Sequence, residues 1–339
     1  MNVVGRQWLL ISNVISYFGV CVTVFALSSP ANAQPTGKIA RIGFLDSSTA
    51  SGMRILVDAF REELRKLGWA EGKSISFEYR FAEQKTERLP ELAADLVRLK
   101  LDLIVVTGAT GARAAKNATT TIPIVMTSAA DPVGAGLVGN LARPGGNVTG
   151  FTALSVELNT KRLEMLKNVL PKLDRVGLLL TRGAAGPGPL QQKELSTAAL
   201  ALKLTLEEID AQIDVGGLEN AFESAKQKQV QAIMTTANRQ FFAERKQIVA
   251  LTTKHRFPAI YFQKEFVDEG GLMSYGTDYV DLMRRSAHYV DKILKGAKPG
   301  DLPVQQATKV DFIINLKAAK QIGLTVPVRV LERANQVIR

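Results

Sequence analysis

With 46% hydrophobic and 22% charged side chains over 339 residues, the chain has apolar material for two ordinary domains, and a disordered protein is excluded. A single cysteine, Cys21, and two histidines distant in sequence, His255 and His288, leave no basis for a disulfide framework, a thiolate metal centre or a histidine zinc site. The net charge of +11 comes without a dense Lys/Arg block interleaved with aromatics, so it reads as a solvated basic face and no nucleic-acid partner is expected.

Residues 1–33 read as a signal peptide. Arg6 supplies the positive start, residues 8–27 form an almost uncharged apolar run, and Ala31-Asn32-Ala33 is an A-x-A cleavage site. Cleavage there predicts a soluble periplasmic protein beginning at Gln34. The run is also long enough to stay as an anchor, while Phe18-Gly19-Val20 before Cys21 makes a poor lipobox.

The remaining chain alternates strand and helix signals. Residues 38–45 predict a first strand ending in Asp46-Ser47-Ser48-Thr49, followed by a helix whose Met53, Leu56, Val57, Phe60, Leu64 and Leu67 recur at helical spacing. A strand at 74–81, a helix marked by Leu89, Leu92 and Leu96, and a buried strand at 102–106 follow. That strand runs into Thr107-Gly108-Ala109-Thr110-Gly111 and a short helix to Asn117. Ile124-Val125-Met126 is a further strand, and Asp131-Pro132 behind it has the form of a helix start, with Asp as cap and Pro first in the helix. A helix over 133–141 and a strand over 148–151 complete a first lobe.

The pattern then repeats. Helices around Leu163, Leu195, Ala221 and Ile248 alternate with strands at 176–180, 204–209, 232–235, 259–262 and 271–275. A helix with Leu282, Ala287, Val290 and Ile293, an extended stretch over 301–314 and a helix over 316–322 end the chain. Such alternation predicts parallel sheets with right-handed crossovers. The expected fold class is α/β, with two Rossmann-like lobes joined by a multi-strand hinge. Lobe 1 is expected over 34–152, completed by about 277–302, and lobe 2 over 153–276, completed by about 303–339.

Motifs that would signal catalysis fail on position. Gly134-Ala135-Gly136-Leu137-Val138-Gly139 matches G-x-G-x-x-G but follows the fourth strand, with no acid-tipped strand after it, so no dinucleotide cofactor is expected. The stretch from Gly68 to Ser74 is one residue short of a Walker A motif and precedes a strand, where a phosphate loop must follow one. No nucleophile elbow or H-E-x-x-H occurs. No catalytic residue, metal or cofactor is expected, although an exported enzyme on the same frame stays open as a second class.

What recurs is a polar residue at nearly every strand end. Ser47, Ser48, Thr49, Thr107, Thr110, Gly111, Ser128, Asp131, Thr236, Asn238, Phe262, Glu265 and Tyr275 are the candidate ligand residues. Loops leaving the carboxyl ends of strands are where α/β sheets bind ligands, and hydroxyls, free helix-start amides and an aromatic suit a small polar or zwitterionic molecule. Each polar member can equally be a cap of the helix after it.

The stretch from Asp131-Pro132-Val133-Gly134 to Val138, with Arg143-Pro144-Gly145-Gly146-Asn147-Val148-Thr149-Gly150, resembles the signature of ABC-transporter substrate-binding proteins of the tryptophan/tyrosine type. Ser274-Tyr275-Gly276 and residues 314–320 with Gly323-Leu324 match as well, and the similarity covers about the whole chain after the leader. The resemblance implies a type I periplasmic-binding fold and a non-catalytic, monomeric receptor. It would hand a small-molecule solute to an ABC permease and ATPase at the inner membrane. It does not fix the solute, and a sensing role through a membrane kinase is an alternative.

Overall fold

Short aliphatic runs set the strands and amphipathic stretches between them set the helices. The computed structural model describes residues 38–181, 189–213 and 216–339. The leader, and residues 183–188 of the glycine-rich second-lobe loop, lie outside them.

The chain opens with β1 (Ala40–Asp46), α1 (Ala50–Lys66), β2 (Ile75–Phe81), α2 (Leu89–Arg98), β3 (Leu103–Val106), α3 (Gly108–Ala118), β4 (Ile124–Ala129) and β5 (Val148–Thr152). Next come α4 (Ser155–Val169), β6 (Arg175–Leu180), α5 (Pro189–Ala201), β7 (Thr205–Asp210), α6 (Gly217–Gln227), β8 (Ala232–Thr235), α7 (Arg239–Ala243) and α8 (Arg245–Lys254). The remainder is β9 (Ala259–Tyr261), α9 (Glu265–Asp268), β10 (Met273–Thr277), α10 (Tyr279–Leu294), β11 (Gln305–Gln306), β12 (Val310–Asn315), α11 (Leu316–Gln321), α12 (Val328–Leu331) and β13 (Gln336–Ile338).

Among the described residues these strands form two sheets, ordered β11-β5-β4-β3-β1-β2 and β13-β12-β10-β9-β8-β6-β7. The first is parallel throughout. In the second, β12 runs antiparallel to β10 and carries β13 with it, and the other pairs are parallel. β3, β4 and β8 are buried at every position, because helices cover both faces of a parallel sheet. One apolar cluster runs from Phe44 and Phe60 beside the first sheet to Phe222, Phe241 and Phe262 beside the second.

The chain passes between sheets after β5, again through α10, and finally between β11 and β12. These passages are bonded to one another. Thr277 Oγ1 donates to Ala153 O at 2.7 Å, and Lys309 Nζ donates to Asp278 Oδ2 at 2.5 Å. Burial works to raise the Asp278 carboxyl, but the Lys309 bond and the Asp281 amide outweigh it and hold it below the usual carboxylate range.

Two local readings need correction. The helix expected over 133–141 is a run of turns. Gly136 sits at φ +67°, and glycine costs about 1 kcal/mol relative to alanine in a helix interior. Asp131 still caps, but it caps a turn: its Oδ1 accepts from Gly134 N at 2.8 Å. The single helix expected around Phe241 and Ile248 is two, broken at Glu244, because Asn238 caps a short first segment of its own.

Candidate functional site

The carboxyl ends of the two sheets enclose a cleft of about 540 Å³, within the usual size range for small-molecule sites. Its first-lobe wall is held by the buried carboxylate of Asp46. Oδ1 accepts from Ser48 N and Ser48 Oγ, each at 2.6 Å, and Oδ2 accepts from Thr107 Oγ1. That fixes the loops after β1 and β3 to each other and presents Ser47, Thr107, Gly108 and Thr110 to the cleft. Thr107 precedes α3 without a side-chain cap, and the helix start brings a partial positive charge to this wall.

Ser128 reaches the cleft by a different device. Between β4 and β5 the register shifts from Met126↔Gly150 to Ala129↔Thr152, leaving Thr127 and Ser128 as a bulge. Bulges bend a strand and re-aim its side chains. Here the bend is possible because Gly150, at φ +134°, lets the Met126 backbone come against its Cα; an added Cβ would lie 2.8 Å from Met126 N and nearer still to Met126 O. Asp131 follows on the same rim and lines the cleft beside Ala130.

The second-lobe wall comes from the loops after β8 and β9. Asn238 accepts from Gln240 N at 2.7 Å and Phe241 N at 3.3 Å, and its Nδ2 donates to Thr181 Oγ1 at 2.9 Å. That cap sets Arg239 at the first position of α7. The Arg239 Nη2 donates across the cleft to Ser128 Oγ at 2.6 Å, and its guanidinium lies 4.4 Å from the centre of the Tyr279 ring. Phe262 and Tyr279 supply the aromatic surface. Further bonds join the lobes at the mouth, from Gln84 Nε2 to Glu244 Oε1 at 3.3 Å and from Gln240 Nε2 to Gln84 O.

Of the candidates read from sequence, Ser47, Thr107, Thr110, Ser128, Asp131, Asn238 and Phe262 come together on the cleft. Ser48 and Thr49 turn inward, the first to Asp46 and the second as the cap of α1 through Gly52 N at 3.1 Å. Gly111 is buried in α3 against Leu45 and Val106. Thr236 is buried outside the lining. Glu265 is buried on α9, where burial pushes its carboxyl upward, with Gln263 Nε2 at 3.3 Å.

Tyr275 requires correction. Its ring meets Phe312 edge-on at 5.9 Å in the outer cluster with Met273 and Ile314, away from the cleft lining. Strand alternation gives Tyr275 the parity of Met273. Tyr275→Ala is therefore expected to cost about 1–3 kcal/mol of stability, as a half-buried aromatic does, and to leave solute affinity within twofold. Denaturant titration beside calorimetry checks this; an affinity loss at full stability would return the ring to the cleft.

Arg239 and Tyr279 were not among the candidates. Arg239 carried a signal all the same, since a cation at a helix start opposes the macrodipole and calls for a reason. Tyr279 reads in sequence as an ordinary core position of α10. Among the described residues no group of three His, Cys, Asp or Glu side chains is placed to hold a metal ion, and no helix is long and apolar enough to cross a membrane.

A cleft between two α/β lobes, walled by hydroxyls, helix-start amides and opposite charges, agrees with the sequence comparison. Residues 42–338 match the model of the ABC transporter substrate binding protein family. The chain belongs to that family. It is 27% identical over 266 residues to a tyrosine-binding protein of Clostridioides difficile strain R20291, covering 78% of this chain and 75% of that one. Among solved structures, the ABC domain in complex with L-Trp from Streptococcus pneumonia superposes with a TM-score of 0.77 at 25% identity, over 89% of this chain and all of that one. A ligand-free, open substrate-binding protein with adhesive properties from Clostridium difficile gives 0.60 at 26% identity, over 88% and 99%. The fold is the type I periplasmic-binding arrangement, and the family is one of solute-binding proteins.

Proposed function

We propose that the chain is the extracytoplasmic solute receptor of an ABC importer. Exported to the periplasm through a cleavable 1–33 segment, it captures a small polar or amino-acid-like molecule as its lobes close about the hinge, and it works as a non-catalytic monomer that presents the solute to the permease and its ATPase. The observation that carries this reading is the cleft itself: a cationic Arg239 on one lobe and an anionic Asp131 on the other, with Phe262 and Tyr279 beside them. Such a set complements a zwitterion with an apolar body. The tyrosine and L-Trp carried by the named relatives are of that kind.

Hinge closure is supported by the three adjoining passages between sheets and by the better superposition on the L-Trp complex than on the open, ligand-free protein. The direct lobe-to-lobe bonds from Arg239 and Gln84 are what a closed state would hold. Small-angle scattering tests it. L-tyrosine or L-tryptophan at saturation is expected to reduce the radius of gyration of ligand-stripped protein, by rigid-body movement about the passages between sheets. Saturation binding with an unchanged radius would reject closure.

A further inference from the structure

We propose that Arg239 is the anion-binding residue of the cleft, so that the solute must carry a carboxylate or a comparable planar oxyanion. The inference rests on reading this cleft as the solute site, and it names the chemistry the site selects.

Arg239 has three features that a surface arginine lacks. Its guanidinium is fixed by stacking on Tyr279 at 4.4 Å and by the 2.6 Å bond from Nη2 to Ser128 Oγ. Its Nη1 is buried and makes no hydrogen bond. No carboxylate among the described residues forms an ion pair with it, although the side chain borders the cleft that contains Asp131. A guanidinium presents a rigid planar fork matched to a carboxylate, and a shielded N–H left unmade is costly. An oxyanion lying in the cleft beside Nη1 would meet that need.

A second arginine strengthens the case through charge alone. Arg162 on α4 is 1% exposed, and its partners among the described residues are neutral: Nη1 donates to Tyr275 O at 2.9 Å and Nη2 to Asn159 Oδ1, leaving Nε unbonded. Burial lowers its pKa to about 10, with the phenols of Tyr279 and Tyr275 close enough to pull it back up. It therefore remains charged at neutral pH. Two guanidiniums thus attend Tyr279, neither paired with a carboxylate among the described residues. The start of α3 faces the same space and adds a partial positive charge. An anion bound against Arg239 would lower the energy of all three.

The test uses full-length mature protein stripped of bound solute, with L-tyrosine, L-tryptophan, tyramine and myo-inositol as probes in calorimetry. Tyramine is L-tyrosine without its carboxylate. The wild type is expected to prefer L-tyrosine to tyramine by at least about 30-fold, the loss usual when one member of a buried hydrogen-bonded charge pair is removed. Arg239→Gln should bring that ratio close to one while the melting temperature holds, and Arg239→Lys should keep part of it. A merely structural Arg239 would weaken both probes alike and leave the ratio standing, which overturns the proposal. So does a wild type that takes tyramine as tightly as L-tyrosine, or that binds and closes on myo-inositol while refusing the amino acids; in those cases the receptor reading survives. Binding of no probe, with an unchanged radius of gyration, overturns the receptor reading and this one together.

Discussion

Gly150→Ala is expected to remove about 3 kcal/mol or more of folding stability and to abolish solute binding even under conditions where the fold persists. Two costs coincide at this residue. Its φ of +134° lies where side chains with a Cβ are strained by about 1–3 kcal/mol. The added methyl would also enter the Met126 backbone, only 2.8 Å from its nitrogen, and overpacking of that kind costs about 1–3 kcal/mol again. Relief requires β4 and β5 to part where the bulge re-aims Ser128, and Ser128 is the partner of Arg239. The stability loss and the binding loss therefore have one cause. Gly146 is the control: it belongs to the same glycine-rich stretch, and a Cβ there would meet nothing within 4 Å. Gly146→Ala should be near neutral. Chemical denaturation of the two variants decides the matter, and a Gly150→Ala protein as stable as the Gly146→Ala protein would contradict the bulge account.

Asp131→Asn is expected to keep the melting temperature and to lower affinity for a cationic solute group by roughly 10- to 100-fold, the range for losing a charge-assisted bond. Two tasks are expected of the carboxylate, one in the turn and one towards the solute. Its Oδ1 accepts from Gly134 N at 2.8 Å, and the side chain lies over Gly134, holding the turn that follows β4. An asparagine oxygen does this equally well. Towards the cleft, by contrast, an amide cannot neutralise an ammonium group. Asp131→Ala should lose both, with about 0.5–2 kcal/mol of stability gone as the cap disappears. Thermal melts and calorimetry on the two variants separate the tasks. If Asp131→Asn retained full affinity for L-tyrosine, the residue would be a cap alone.

The sheets were legible because buried parallel strands announce themselves as short aliphatic runs: residues 232–235 read as a strand and fold as one. The loops at their carboxyl ends were legible for the same reason. The glycine-rich stretch after Asp131 misled because Asp-Pro announces a helix locally, whereas Gly136 at φ +67° takes the chain out of one. The antiparallel turn of β12 followed from the last passage between sheets, which no local pattern records. Tyr275 was misplaced for want of one bit of information, the face of β10 that meets the outer helices. Once Met273 is known to face that cluster, Tyr275 must do so too. Arg239 and Tyr279 open two helices, α7 and α10, that lie two strands apart in the chain, and their stacking exists only after both lobes have formed. Sequence position alone gave them no reason to be paired.

The central claim is that this cleft carries a solute, and the most direct measurement is mass spectrometry of what the protein brings with it. Mature protein purified under native conditions and then denatured is expected to release a single small molecule in near-stoichiometric amount. That molecule should be small enough for a cleft of about 540 Å³ and should bear an amino group and a carboxylate on an apolar body. The Asp131→Asn and Arg239→Gln proteins, prepared alongside, should release much less of it. Release of the same molecule in equal amount from the wild type and both variants would contradict the claim, because the solute would then be held somewhere other than this cleft.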